Sequence, residues 1–152
     1  MKRIVISLVT TSLLLVGCEK ARLDEQVREL CAKDGGIKIY ETVKLPPEKF
    51  NQWGQPNFYR PTQGENTLGP EYVFKSEAHY YKKGNPEMWR NHFKVVRKSD
   101  QKLLGESISY SRRGGDVPSP MHDSSFGCPD GRGEVNFLAR IFVRDELKGQ
   151  AK

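Results

Sequence analysis

An apolar run close to the N-terminus constrains most strongly how this chain can fold. Met1-Lys2-Arg3 is a short basic head, and residues 4–16 after it are apolar apart from four hydroxyl-bearing side chains. Thirteen helical residues extend about 20 Å, which is shorter than the roughly 30 Å hydrocarbon core of a bilayer. A basic head before a short apolar core is typical of a secretory signal peptide. We therefore expect residues 1–17 to be removed and the rest of the chain to fold outside the cytoplasm.

The run ends in Leu15-Val16-Gly17-Cys18. These four residues resemble the lipobox of bacterial lipoprotein precursors, in which Leu, a small or aliphatic residue, Gly or Ala, and Cys follow one another. The resemblance implies cleavage before Cys18, diacylglycerol on its sulfur and an acyl chain such as palmitate on its amino group. Two acyl chains hold a protein firmly to a bilayer, whereas one holds it only marginally. An ordinary secretory signal with a chance Cys is the alternative.

The residue after the lipobox bears on the destination of the protein. Glu19 stands where Asp favours retention in the inner membrane of Gram-negative bacteria. The resemblance therefore implies a lipid anchor in the outer membrane, with the protein facing the periplasm.

The remaining chain has the size of one domain. Removal of 17 of the 152 residues leaves 135, and we predict a single domain over residues 18–152. The composition, 36% hydrophobic and 10% aromatic, excludes a disordered chain. Lys and Arg exceed Asp and Glu by six but are scattered, so we predict a solvated surface and no nucleic-acid partner.

Two further cysteines, Cys31 and Cys128, remain after Cys18. In an oxidising compartment an even pair of cysteines usually forms a disulfide. Closing a loop of about 100 residues stabilises a fold by up to roughly 4 to 5 kcal/mol in the chain-entropy account. The alternative is a reactive Cys nucleophile with a His partner.

Apolar periodicity predicts one helix followed by strands. Residues 19–33 carry one apolar stripe at helical spacing, and Gly35-Gly36 ends that helix. Alternation predicts a strand over residues 37–45, and residues 46–71 form a long irregular segment that opens with one helical turn. Residues 113–134 form a second long loop.

The clearest local structure is a hairpin. Residues 71–83 and 88–98 flank Gly84-Asn85-Pro86-Glu87, and further strands are predicted at 103–112 and 135–144. The predicted fold class is α+β, with the N-terminal helix packed on one face of an antiparallel sheet of about five strands. A small closed β-barrel is the alternative.

The histidines of the hairpin are weak metal candidates. His79 and His92 fall opposite each other in the predicted register, but only Glu77 among their neighbours suits zinc as a third ligand. We therefore predict a solvated polar face, without a metal or another cofactor.

Catalytic signatures are weak as well. Met121-His122-Asp123-Ser124-Ser125 places hydrolase-type side chains side by side, whereas triads bring such groups together from distant segments. The sequence has no nucleophile elbow, zinc-protease helix or phosphate loop. We assign no catalytic residue and expect the protein not to be an enzyme.

Aromatic residues with neighbouring arginines are the better ligand-binding candidates. Aromatic rings stack on sugars or anchor protein partners, and arginines bind carboxylates. Alternatively, the rings pack on the edge of the core. The candidates are Trp53, Phe58, Tyr59, Arg60, Trp89 and Arg90.

These observations favour a membrane-anchored lipoprotein with a non-catalytic binding or structural role at the cell envelope. Its expected partners are the bilayer, through acylated Cys18, and an envelope protein or cell-wall ligand. One alternative is an inhibitor or immunity lipoprotein that acts against a cell-wall-attacking or toxic enzyme. Another is a small hydrolase that uses His122 or the pair His79 and His92. The sequence leaves the oligomeric state open.

Overall fold

The protein is described from a computed structural model that defines residues 19–116, 123–129 and 133–145, with side chains from 136 onward in the last range. The predicted signal peptide and Cys18 lie outside the described residues. Two helices, seven strands and two short 3-10 helices make up this part of the chain. They are α1 (19–34), β1 (Gly36–Ile39), β2 (Val43–Leu45), the 3-10 helices Pro47–Lys49 and Pro61–Asn66, β3 (Tyr72–Lys82), β4 (Glu87–Arg97), β5 (Leu103–Arg113), β6 (Ser125–Cys128), α2 (Gly133–Ile141) and β7 (Phe142–Arg144).

The main sheet has five antiparallel strands. Its order is β1-β5-β4-β3, and β6 also pairs with β5. Gly36 lies opposite Ile108 in the pairing of β1 with β5, and Tyr110 lies opposite Cys128 in the pairing of β6 with β5. The sheet is not closed into a barrel. The predicted α+β class, with an N-terminal helix and an antiparallel sheet of about five strands, is therefore confirmed.

The prediction of a last strand over 135–144 is wrong for most of its length. Residues 133–141 form α2, and only Phe142–Arg144 is extended. Phe137, Leu138 and Ile141 are buried while Ala139 is exposed, which is the spacing of a helix rather than of a strand. The odd-numbered apolar residues of this segment fit a strand, whereas Phe137, Leu138 and Ile141 fit one face of a helix, and packing decides for the helix.

The predicted strand 37–45 is interrupted. Its first part, β1, belongs to the main sheet, and its last part, β2, pairs in parallel with β7 in a separate two-stranded sheet. The backbone N–H groups of Tyr40 and Glu41 both donate to the carbonyl of Leu104, at 2.9 and 3.0 Å, where the chain leaves β1. The predicted loop 113–134 likewise contains β6 and the start of α2.

The chain divides into two compact units. Unit 1 comprises residues 19–35, 78–90 and the described part of 109–129, and unit 2 comprises residues 36–77, 91–108 and 133–145. The core of unit 2 is apolar, and α2 contributes Phe137, Leu138 and Ile141 to it. Its buried members are Phe50, Leu68, Tyr72, Phe74, Val95, Leu104, Phe137, Leu138, Ile141 and Phe142.

Unit 1 is built around α1. Leu23 and Val27 are fully buried on the predicted apolar stripe of the helix, and Cys31 follows on the same side. Cys31 forms a disulfide with Cys128, as predicted, with an S–S distance of 2.01 Å. A Cβ atom at Gly35 would lie 2.5 Å from the Cys31 sulfur, so the residue that ends the helix must be glycine. None of the helices within the described residues is long and apolar enough to cross a bilayer.

Candidate functional site

The best-defined polar site in unit 1 surrounds Arg112, near the end of β5. Its side chain is only 2% exposed, and its Nε and Nη2 donate to the two carboxylate oxygens of Asp24 on α1 at 2.7 and 3.1 Å. Its Nη1 donates to the Gly114 carbonyl, the Ser124 carbonyl and the Ser124 hydroxyl, at 2.8 to 3.0 Å. A buried guanidinium is tolerated only with partners of this kind. Arg112 therefore joins α1 to the segment around Ser124.

Asp116 extends this site to the first described turn of α1. Its carboxylate accepts a hydrogen bond from the Lys20 ammonium and two from Ser124, from the backbone N–H at 2.6 Å and the hydroxyl at 2.9 Å. The Lys20 ammonium, followed by the Ser124 donors, holds the pKa of Asp116 well below its ordinary value. We call Lys20, Asp24, Arg112, Asp116 and Ser124 the Arg112–Asp116 network.

The turn between β3 and β4 supports the same end of α1. The Lys82 ammonium lies 3.0 Å from the Glu19 carboxylate and donates to the Pro86 carbonyl. The backbone N–H of Gly115 donates to the Asn85 side-chain oxygen at 2.6 Å. The first residues of α1 are therefore attached to unit 1 through both its hairpin and the end of β5.

Sequence reasoning missed this network because its contacts are long-range. Arg112 and Asp24 are 88 positions apart, and Lys20 and Asp116 are 96 apart. One signal was present: Arg112 falls at alternate spacing with Ile108 and Tyr110, which are both buried. An arginine on the buried side of a strand requires an acidic or carbonyl partner. The carboxylate that pairs with Arg112, that of Asp24, stands 88 positions away in the sequence.

The predicted ligand residues of unit 1 have structural contacts. Trp89 is half-buried, with its ring centroid 6.0 Å from that of Tyr80. Arg90 lies 3.8 Å from one carboxylate oxygen of Asp34, and the Tyr110 hydroxyl donates to the other at 2.7 Å. Burial, followed by the Asp34 carboxylate, raises the pKa of Tyr110. Arg90 and Tyr110 thereby fix the C-terminal end of α1.

The predicted ligand residues of unit 2 separate into two groups. Phe58 packs edge-on against Phe142 with ring centroids 5.3 Å apart, and the Trp53 side chain is 74% exposed. Tyr59 and Arg60 line a cavity of about 300 Å³. The other residues around this cavity are Asn51, Gln55, Pro56, Asn57 and Leu138. Unit 2 therefore brings Tyr59 and Arg60 together, and it leaves Phe58 in the core and Trp53 in solvent.

The polar groups of this cavity are held in place by the loop itself. The Asn51 side chain donates to that of Gln55 at 3.1 Å, and Asn57 donates to the Glu48 carbonyl at 2.6 Å. Arg60 donates to the carbonyls of Asn57 and Tyr59. A second cavity of about 410 Å³ is also lined by Tyr59, and otherwise by residues between 61 and 77. Both cavities are lined in part by the long segment 46–71 that we singled out in the sequence.

The two hairpin histidines have different surroundings. His79 is exposed, with its ring 5.0 Å from that of Tyr81 in unit 1. His92, in unit 2, is buried, and its Nε2 lies 2.8 Å from a Glu106 carboxylate oxygen. The prediction of a solvated face is therefore wrong at His92. Across the residues that the structure defines, no three His, Cys, Asp or Glu side chains group as metal ligands.

Glu106 is the centre of a small polar cluster in unit 2. The Tyr40 hydroxyl donates to its other oxygen at 2.6 Å, and the Lys38 ammonium lies 3.9 Å away. The hydrogen bond from Tyr40, followed by that from His92, lowers the pKa of Glu106. Glu106 thus remains ionised and fixes the ring of His92.

The hydrolase-type segment lies partly outside the described residues, including Met121 and His122. Asp123 is 3.9 Å from the Arg113 side chain. The Ser124 hydroxyl accepts from Arg112 and donates to Asp116, and Ser125 begins β6 as an exposed residue. The described part of the segment is therefore engaged in structural contacts.

Comparison with protein-family models, with curated proteins and with solved structures finds no match to this chain. Its function is accordingly argued from the geometry of these sites.

Proposed function

We propose that this protein is a lipid-anchored component of the bacterial envelope with a non-catalytic binding or structural role. The observation that carries the proposal is the attachment of α1 at its first described residues. Glu19 is ion-paired to Lys82 and Lys20 to Asp116, and Glu19 directly follows Cys18, the predicted lipid attachment point, in the sequence.

This attachment suits a protein that works close to a membrane. Consecutive Cα atoms are 3.8 Å apart, so an acyl group on Cys18 would be joined to the body with almost no intervening chain. A flexible linker would instead let the body move over a distance that grows with linker length. The disulfide between Cys31 and Cys128 agrees with an exported protein, because such bonds persist in oxidising compartments.

The binding role is assigned to the cavity beside Tyr59 and Arg60. This cavity offers amide side chains and the Arg60 guanidinium, which can orient a ligand by hydrogen bonds. It also offers the Tyr59 ring and Leu138, which give apolar area for contact with the ligand. Such a lining suits a polar ligand with hydroxyl and carboxylate groups, such as a soluble cell-wall fragment, in which a sugar ring packs on the tyrosine. Inhibition of a cell-wall-attacking enzyme remains an alternative prediction.

The anchor is tested by metabolic labelling of the full-length chain with a tagged fatty acid in a bacterial host. We expect wild type to incorporate the label and to fractionate with membranes, and Cys18→Ala to do neither. The matched control is the double variant Cys31→Ser/Cys128→Ser, which removes the other two cysteines and should still be labelled. Equal labelling of wild type and Cys18→Ala would contradict the proposal.

The binding role is tested by titrating the protein with soluble cell-wall fragments in a calorimeter. Arg60→Ala and Tyr59→Ala should weaken binding at least tenfold if these residues contact the ligand, which corresponds to about 1.4 kcal/mol. Trp53→Ala is the matched control, because that exposed side chain lies in the same segment and lines neither cavity. Absence of binding by wild type would exclude this ligand class.

A further inference from the structure

We infer that the end of the β3–β4 hairpin forms a second membrane contact, in which Tyr80, Lys83 and Trp89 lie among the lipid headgroups of the anchoring membrane. This inference depends on the proposed lipid anchor at Cys18. The occupant of the surface is the bilayer itself, because Glu19, which follows the proposed anchoring residue in the sequence, is ion-paired to Lys82 at the end of this hairpin.

The position of the turn relative to α1 is set by direct contacts within unit 1. Lys82, the last residue of β3, is ion-paired to Glu19. Gly115 packs against both Pro86 and Lys20, since a Cβ atom there would lie 3.1 Å from Pro86 and 3.3 Å from Lys20. The turn is therefore held beside the residues that follow Cys18, and a membrane close to Cys18 is also close to this turn.

The side chains at this end of the hairpin have the chemistry of a membrane interface. Tyr80 is 44% exposed, its ring lies against that of Trp89, and the Lys83 ammonium lies 5.7 Å above the Tyr80 ring. Tyrosine and tryptophan are enriched at bilayer interfaces because their rings are apolar with one polar group. A neighbouring lysine adds attraction to anionic headgroups.

The distances permit this contact. Tyr80 precedes Lys82 by two residues, or about 7 Å along an extended strand. The headgroup region of each leaflet is about 5 to 7 Å thick. A protein anchored through the residue before Glu19, without a linker, therefore brings the end of this hairpin to the headgroups before any more distant part of unit 1.

The experiment uses the full-length, lipidated protein reconstituted into vesicles of phosphatidylethanolamine and phosphatidylglycerol. In a Trp53→Phe background, Trp89 is the only tryptophan of the chain. We expect lipids brominated near the headgroup to quench at least half of the Trp89 fluorescence, relative to vesicles without bromine. Adding Tyr80→Ser and Lys83→Ser should reduce this quenching at least twofold. Lys33→Ser, an exposed lysine near the other end of α1, should leave it unchanged.

The outcomes separate this inference from the proposed function. Protein that carries the acyl label and floats with the vesicles, but whose Trp89 is not quenched, overturns the membrane contact and leaves the anchor intact. Quenching that is unaffected by the Tyr80 and Lys83 substitutions also overturns it. Protein without the acyl label that does not float overturns the anchor itself, and the membrane contact with it.

Discussion

Replacing Arg112 by Met tests how strongly the Arg112–Asp116 network holds α1 in place. The substitution keeps most of the side-chain volume but removes every donor from a site that is 2% exposed. It leaves the Asp24 carboxylate, whose side chain is 18% exposed, without its two guanidinium hydrogen bonds. It also removes the donor shared by the Gly114 and Ser124 carbonyls.

The magnitude follows from this loss of partners. Breaking a buried ion pair by removing one partner typically costs about 3 to 5 kcal/mol, because the remaining charge is left uncompensated. We expect Arg112→Met to lower the free energy of unfolding by about 3 kcal/mol, at the low end of that range, because Asp24 retains some contact with water. Asp24→Ala should cost a similar amount, since it leaves the buried guanidinium without its carboxylate.

The assay is urea unfolding with the disulfide intact, followed by circular dichroism. Arg113→Met is the matched control, because the Arg113 side chain is 62% exposed and lies 3.9 Å from the Asp123 carboxylate. Exposed pairs of this kind contribute less than about 1 kcal/mol. The double variant of Asp24 and Arg112 should be less destabilised than the sum of the two single variants. A loss below about 1 kcal/mol for Arg112→Met would refute the reasoning.

Three further predictions concern the disulfide, acid stability and the end of α1. Replacing both Cys31 and Cys128 by Ser should lower the free energy of unfolding by about 4 to 5 kcal/mol, measured by urea unfolding; a loss below 1 kcal/mol would contradict the loop-entropy account. The pKa of Glu106 is lower in the folded protein than its ordinary value of 4.5. Ionised Glu106 therefore stabilises the fold above pH 4.5, and this contribution is lost as the pH falls through the lowered pKa. The stability difference between wild type and Glu106→Gln should therefore shrink from pH 6 to pH 3, and a constant difference would count against this. Gly35→Ala should lower the thermal midpoint by several degrees, because its Cβ collides with the Cys31 sulfur; an unchanged midpoint would contradict it.

The spacing of apolar residues predicted those elements in which it fits either a helix or a strand, but not both. The stripe containing Leu23, Val27 and Cys31 matches only a helix, and the hairpin has a turn sequence between two apolar strands. The disulfide followed from the count of cysteines and the expected compartment. In each case the information lies within a short segment or in composition, where sequence reasoning is strongest.

The segment 135–144 shows where periodicity is insufficient. Its odd-numbered residues are apolar and fit a strand, yet Leu138 is also apolar and interrupts the alternation. In the structure Leu138 is buried beside Phe137 and Ile141, so the interruption was the signal for a helix. Glu41 is a similar case, because it is a charged residue among the otherwise apolar odd-numbered residues of the predicted strand 37–45. It forms ion pairs with Arg97 and Lys102 where that strand is interrupted.

The candidate site was only partly predictable for a different reason. Tyr59 and Arg60 are adjacent in the sequence, and the structure places both at one cavity, whereas Trp89 and Arg90 belong to the other unit. The Arg112–Asp116 network joins Lys20 and Asp24 on α1 to residues that stand at least 88 positions later in the sequence. Only the fold brings their charges together, so no local pattern of charge identifies the network.

The most direct test of the lipid anchor is the mass of the N-terminal tryptic peptide of protein extracted from membranes. Trypsin cleaves after Lys20, so the mature chain should yield the three residues Cys18-Glu19-Lys20. The account predicts that this peptide carries diacylglycerol on the sulfur and an acyl chain on the amino group of Cys18. An unmodified Cys18, or a mature chain that begins at any other residue, would contradict it.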